Sequence, residues 1–582
     1  RSHPPFCRRR SVPRSHPPSS SSCRRRSVLR SHPPSCRRRS IPEGPVSTPF
    51  PGRRYSIRGA GGGSSLMART AMGRRRRPDR ISALSDDLLL LVLRRLDIRT
   101  AVGTTALSRR WACLRGELPI LDLSVDAMLP PRYHRWVQLH GVVGKGGGFQ
   151  YDLRQVSREL MPNIRRYEHR AMRALTRSVQ SFLDAGTAGR RRRISRLRLE
   201  FFVTPQSTEC MNRLIVEAMD ACGVDDLQVV AKPIFWRRGA VHTFASHGLC
   251  KEPSASRLQS LKLGGCMIPP LHEYGALTRL VLQDIPKSTP VATYQGVFIS
   301  CQQLQVLHLI SCRCSGGVIF VDAPMSKIKE LVVDDCRFTQ LRLRALPNLE
   351  SLASLSLGPT VFLESASFPC LRKFNLTSCL GVTMQGFREY LKRHWKIDHE
   401  SLLENMPEIS SLIVRISGPY RWIVPSPSTT MLLPNLRRLL VADVPSSWDV
   451  SWPRLLLETA PSLEVLHLHI AATCTEDEPS DNIRWKPTTL LRHQHLEEFV
   501  MVGYEGTERQ IYLVKFVVGV CTLLRQVSIF KNGHARNKGH WDWELVTQQH
   551  SWTDQEKDNT LKHIMDGVSP LSPAAPVKLV FG

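Results

Sequence analysis

The sequence predicts an α/β chain. A short N-terminal three-helix unit is followed by an irregular solenoid of strand-and-turn repeats, and a disordered basic segment precedes both. Three observations predict this. Residues 1–77 are rich in Arg, Pro and Ser and show no apolar periodicity. The stretch ISALSDDLLLLVLRRL, Ile81 to Leu96, concentrates apolar residues between an acidic and a basic end. From Ile194 to Leu524 one apolar pattern returns again and again.

The first segment repeats RSHPP at Arg1, Arg14 and Arg30, each followed by CRRRS. Such composition cannot bury a core and reads as disordered. Residues 1–80 hold 21 Arg against Glu43 and Asp79, so +19 of the chain's +31 lies there and the other 502 residues carry +12. One reading is a basic arm that binds nucleic acid or acidic membranes. The other is an extension without a fold, outside the natural protein. The chain starts with Arg, and Met67 and Met72 stand just before the first globular segment.

The apolar run Leu88 to Leu93 is far shorter than the roughly 20 residues that span a bilayer. No membrane segment or secretory signal is therefore expected, and the chain reads as cytoplasmic or nuclear. Its 16 Cys include no CxxC pair, so they read as reduced and structural rather than as a metal site. At 582 residues the chain exceeds one hydrophobic core.

A helix fits Ile81 to Leu96. Ser85 can cap it, Asp86 and Asp87 suit the positive end of the helix dipole, and Arg94 and Arg95 suit the negative end. At about 100° per residue Leu88, Leu89, Val92, Leu93 and Leu96 share one arc of roughly 140°, with Leu90 and Leu91 outside it. Such a helix needs cover from more than one direction. Asp97 or Thr100 can start a second helix, and Ser108 a third with Trp111 and Leu114. Three short helices are too few to bury the first one completely. The remaining surface calls for a partner or the following domain.

LQSLKLGGC at Leu258, LQVLHLISC at Leu304, IKELVVDDC at Ile328 and LRKFNLTSC at Leu371 share one template, apolar-xx-apolar-x-apolar-xx-Cys. This is the strand and turn of a leucine-rich repeat. Cys266, Cys312, Cys336 and Cys379 are then turn-filling residues. Weaker copies begin at Ile194, Val224, Leu277, Leu352, Ile409, Leu436, Leu463, Leu496 and Leu524, a mean step of 27.5 residues over the thirteen starts. The long step after Leu371 contains a candidate helix, GFREYLKRHW.

In each strand the residue between the last two apolar positions should face out of a concave parallel sheet. These are Arg198, Gln228, Lys262, Val281, His308, Val332, Ser356, Asn375, Ile413, Leu440, His467, Val500 and Ser528. The row lacks the Arg/Lys stripe that a phosphate backbone needs, which argues against nucleic acid and for a protein target. Lys262, His308, Asn375 and His467 are its candidate target-binding residues. His467 and His469 share a strand face but read as solvated rather than metal-bound. Catalytic motifs are missing: there is no G-x-S-x-G, H-E-x-x-H or Walker A. GKGGG, Gly144 to Gly148, reads as a flexible insertion. No enzyme activity, metal or cofactor is expected.

Pro78 to Leu114, PDRISALSDDLLLLVLRRLDIRTAVGTTALSRRWACL, resembles an F-box. Leu84-Ser85 stands where that family has Leu-Pro, and Leu107-Ser108-Arg109-Arg110-Trp111 matches its closing motif. The repeats resemble those of plant F-box proteins. His495 to Phe530 resembles the FBD-type domain that follows them, with the strand–helix–strand order EEFVMVG, ERQIYLVKFVVGVC, LRQVSIF. Beyond the disordered segment over 1–77, the resemblance covers roughly residues 78–582 and implies an F-box over 78–125, a helical linker over 126–193, leucine-rich repeats over 194–490 and an FBD-like domain over 491–582. It implies the substrate-recognition subunit of an SCF-type ubiquitin ligase. Leu84, Leu88, Leu89, Val92, Leu93, Leu96, Leu107 and Trp111 would bind a Skp-type adaptor, and a cullin through it, while the repeats hold a target protein. The alternative is a repeat-based scaffold outside a ligase, or a basic-arm nucleic-acid binder.

Overall fold

A computed structural model describes residues 81–143 with interruptions at 82, 97–99, 101–103, 105–109, 112–113 and 115–118, and then 150–186, 194–235, 239–356, 361–363, 368–379, 408–417, 433–446, 457–471, 492–548, 552–566 and 577–582. All of them fall in the second of two compact units, Asp79–Gly582. The basic segment, the GKGGG stretch and the candidate helix after Leu371 lie outside the described residues. So does most of the second and third predicted helices.

Helix α1 spans Asp86–Arg95, with Asp86 and Asp87 in the first turn and Arg94 and Arg95 in the last. Ser85 stands at the N-cap in extended conformation, but its hydroxyl makes no capping bond. Arg110 secures this end instead. Its guanidinium donates to the Leu84 carbonyl and to Asp86, both at 2.6 Å. Leu89, Leu93, Trp111 and Leu114 form a small core of their own, flanked by half-buried Leu84, Leu90 and Leu96.

The rest is a coil of parallel strands. Their ranges are β1 Ile120–Ser124, β2 Arg196–Phe202, β3 Asp226–Lys232, β4 Ser260–Gly264, β5 Arg279–Gln283, β6 Val306–Ile310, β7 Val318–Asp322, β8 Glu330–Asp334, β9 Gln340–Ala345, β10 Ser351–Ser356, β11 Val361–Leu363, β12 Lys373–Cys379, β13 Ser411–Ser417, β14 Arg438–Pro445, β15 Val465–Ala471, β16 Glu498–Val502 and β17 Gln526–Phe530. An antiparallel hairpin follows, β18 Asn532–Lys538 and β19 Asp542–Gln548, and then β20 Lys578–Phe581. Fifteen strands make one sheet in the order β1-β2-β3-β4-β5-β6-β8-β10-β12-β13-β14-β15-β16-β17-β20. Strands β7, β9 and β11 form a second parallel sheet.

The helices are α2 Pro131–Val143, α3 Gln150–Gly186, α4 Pro205–Asp220, α5 Val291–Ser300, α6 Glu508–Val520 and α7 Asp554–Met565. Thr204 with Ser207, and Thr553 with Glu556, form reciprocal capping boxes on α4 and α7. Each box satisfies amide groups that a helix start leaves unpaired.

The repeat template accounts for the register. Leu261, Leu280, Leu307, Leu331, Leu352, Phe374, Leu412, Leu439, Leu466, Phe499 and Val527 lie side by side along the sheet. All are buried in one continuous core. Ile319, Val321, Leu341 and Leu343 of the second sheet enter the same core. Strand β10 corrects one expectation. Its register aligns Ala353, not Ser356, with Val332 and Asn375, so that repeat starts at Leu349 and not at Leu352. LASLSL matches the template from Leu352, but pairing with β8 and β12 selects the frame from Leu349, which puts the buried Ser354 at the third core position.

Six strands of the ladder, β4, β5, β6, β8, β14 and β16, carry a residue with left-handed backbone at or near their C-terminal end: Gly265, Asp284, Ser311, Asp335, Asp443 and Gly503. Their amides still bond to the next coil, as from Ser311 to the Asp334 carbonyl at 2.7 Å. This turn directs the following cysteine inward. The thiols of Cys312 and Cys336 reach the carbonyls of Leu282 and Leu309 at 3.3 and 3.2 Å. Burial pushes Cys266 up to about 12. Cys266, Cys312 and Cys336 thus fill the turn, while the side chain of Cys379 lies outside the described residues. Among the described residues no helix is long and apolar enough to cross a membrane.

Candidate protein-interaction surfaces

Two surfaces hold the residues singled out by sequence. The first is α1. Its predicted apolar arc divides in two. Leu89 and Leu93 are 0% and 1% exposed and pack on Trp111, whereas Leu88 and Val92 are 48% and 42% exposed. Leu91, outside the predicted arc, is 53% exposed and stands beside them one turn along. Leu88, Leu91 and Val92 therefore form an open ridge. Leu84 and Leu96 are half-buried against the small core, and Leu107 lies outside the described residues. Leu89, Leu93 and Trp111 are internal to this small core, so the surface expected of them for a partner is already covered.

The second surface is the sheet face turned away from the core. Its row runs Asp122, Arg198, Gln228, Lys262, Val281, His308, Val332, Ala353, Asn375, Ile413, Leu440, His467, Val500, Ser528. Arg198 is exposed and Gln228, Lys262 and Val281 are half-buried, but from His308 onward the row is largely buried. The cause is the β18–β19 hairpin, which lies across this face.

Its contacts are specific. Asn375 donates from Nδ2 to the His540 carbonyl at 2.8 Å. His308 meets the His540 ring edge-on at 5.5 Å and bonds Glu330 at 2.6 Å. That bond holds Glu330 below the usual carboxylate range, while burial lowers His540. Trp543 donates its indole N–H to Nδ1 of His467 at 2.8 Å. Arg438 lies over the Trp543 ring, 4.6 Å from its centre, and pairs with Asp542 at 2.9 Å. Arg415 donates to the Ala535 carbonyl. Ala535 and Trp543 pack with Ile413, Leu440 and Ala442 in a third small core.

Of the four predicted target-binding residues, only Lys262 stands clear of the hairpin. His308, Asn375 and His467 are occupied from within the chain, which corrects the expectation of an open row. The paired histidines also differ from expectation. His467 faces Glu498 at 3.4 Å and His469 faces Asp443 at 3.0 Å, so each imidazole has its own carboxylate. No group of three or more ligating side chains occurs among the described residues.

The hairpin was missed at the sequence level, although a signal exists. Trp541, Trp543 and Leu545 alternate, and Gly539 (φ +72°) marks the turn.

No family model matches the chain. A stretch of 51 residues, 9% of the chain, is 45% identical to an F-box/FBD/LRR-repeat protein of Arabidopsis thaliana. The match spans 12% of that relative's length.

Proposed function

We propose that the chain is the target-recognition subunit of an adaptor–cullin ubiquitin ligase of the F-box type. The observation that carries this reading is the open ridge of Leu88, Leu91 and Val92 on a helix whose adjoining side is sealed by Leu89, Leu93 and Trp111. Its small core is separate from the core of the sheet. Such a ridge suits a Skp-type adaptor, which would recruit a cullin. The parallel-strand coil would hold a target protein, so the chain supplies proximity and orientation rather than bond chemistry. The name of the Arabidopsis relative adds support from outside the geometry. This role places the chain in the cytoplasm or the nucleus.

Co-expression with a Skp-type adaptor tests the reading. Replacing Leu88, Leu91 and Val92 together by Asp should abolish co-purification while the sheet unfolds at an unchanged temperature, because none of the three is buried. Adaptor binding that survives the triple change overturns it. Binding of a target without the adaptor would favour a scaffold outside a ligase.

A further inference from the structure

The geometry points to a built subsite on β14 and β15 that reads an acidic residue followed by tryptophan on an extended strand, and that the chain fills with its own Asp542 and Trp543. Three elements make the subsite. The Arg438 guanidinium serves both residues at once, binding the Asp542 carboxylate at 2.9 Å and covering the indole face at 4.6 Å. Nδ1 of His467 accepts the indole N–H at 2.8 Å. Leu440 and Ile413, fully buried, form an apolar floor under the ring. A cation over the ring, an acceptor at its edge and an apolar base define an indole pocket that Phe or Leu could fill only in part.

The occupant is exchangeable. The contact core of Ile413, Leu440, Ala442, Ala535 and Trp543 is separate from the main core, so lifting the hairpin leaves the repeat ladder closed. The sheet also holds the hairpin through backbone carbonyls, those of His540 and Ala535, and any strand of suitable shape offers these. The seal is incomplete. Asn537 Oδ1 and His540 Nδ1 are buried with no hydrogen-bond partner among the described residues, and water would satisfy both on release. A target presenting Asp-Trp or Glu-Trp on a β-hairpin would therefore compete for the subsite, and the chain's own hairpin sets the threshold. This deepens the proposed target-recognition role and takes its biological sense from it.

The probe is a disulfide-cyclised, fluorescein-labelled peptide of residues 532–548, titrated into the full chain without adaptor. The Asp542→Ala/Trp543→Ala chain should bind it about tenfold or more tighter than the wild-type chain, whose tethered copy competes at high effective concentration. Arg438→Ala in that background, or Ala-Ala in place of Asp-Trp in the peptide, should abolish binding. Equal binding to both chains, binding indifferent to Arg438, or no binding to the opened chain overturns the assignment. If the double variant fails to fold, hydrogen exchange on the wild-type chain decides. Residues 532–548 should exchange faster under excess unlabelled peptide, and unchanged protection refutes the proposal. Adaptor co-purification is read separately, so failure of the peptide test and failure of the ligase reading are distinguishable.

Discussion

Trp543 and His467 stand 76 residues apart in the chain and share one hydrogen bond, from the indole N–H to Nδ1 at 2.8 Å. An indole nitrogen only donates, so Nδ1 must be the unprotonated nitrogen and the ring proton sits on Nε2, toward Glu498. Trp543→Phe keeps a ring over Leu440 and removes the donor, which should cost about 1 kcal/mol. Trp543→Ala also empties the pocket and should cost about 3–5 kcal/mol. Urea unfolding of the two variants measures the difference, and a Phe variant as stable as the parent would show that the bond contributes nothing.

The two sides of α1 should respond oppositely to truncation. Leu89→Ala removes about 2–5 kcal/mol from a core with four buried members among the described residues. Hydrogen exchange should then show α1 amides unprotected while those of β4–β6, in a separate core, stay protected. Leu91→Ala should leave α1 protection unchanged, because that side chain is more than half exposed. A loss of protection in the Leu91 variant would mean the ridge is already covered from within the chain.

Gly503 and Gly223 both adopt left-handed backbone, at φ +85° and +63°. They differ in space. A Cβ at Gly503 would run into the Ile470 carbonyl of the neighbouring coil, whereas one at Gly223 meets nothing within 4 Å. Gly223→Ala should therefore cost only the backbone preference, about 1–2 kcal/mol, and Gly503→Ala clearly more. Thermal unfolding of the pair checks the order.

His242 is fully buried with its ring edge-on to Phe201 and Phe244, centres 5.0 Å apart in each case. Neither ring nitrogen has a hydrogen-bond partner among the described residues. Burial lowers its pKa to about 4. The unfolded chain then binds a proton near pH 6.5 that the folded chain refuses until about pH 4, so this group's contribution to stability is complete above that window and falls through it. The loss should total about 3 kcal/mol. His242→Phe should flatten that part of the stability profile relative to the parent, and parallel profiles would contradict the assignment.

Thiol labelling should separate the cysteines by position. Cys370 is exposed, and Cys266 and Cys521 are buried with thiols pushed up to about 12. Iodoacetamide at mildly alkaline pH should modify Cys370 first and reach the other two only on unfolding, as read by mass spectrometry. Early modification of Cys266 would mean that its turn opens in the native state.

The legible part of this fold was its local part. An apolar template repeated along the chain specifies which residues line the core, and the ladder from Leu261 to Val527 follows it. Strands without that template went unseen. β1 lies far ahead of the first repeat, and β7, β9 and β11 are short segments whose role depends on the coils beside them. The Leu352 frame error has the same origin, because the apolar template favours Leu355 and Leu357 while the neighbouring strands select a frame with Ser354 in the core. On α1, periodicity marks apolar residues without saying which neighbour covers them, so Leu88 and Leu89 looked alike. The hairpin was the largest omission. Contacts such as Asn375 with His540, 165 residues apart, leave no trace in local pattern.

The second sheet has a mechanical consequence. Packed helices sit about 8–10 Å apart and hydrogen-bonded strands about 4.8 Å, so a coil with helices on one side and strands on the other opens like a wedge. Where β7, β9 and β11 back the main sheet, both sides advance by the same spacing and the wedge angle vanishes. The stretch from β6 to β12 should behave as a stiff, unbent splint, with flexing under load confined to the coils before and after it.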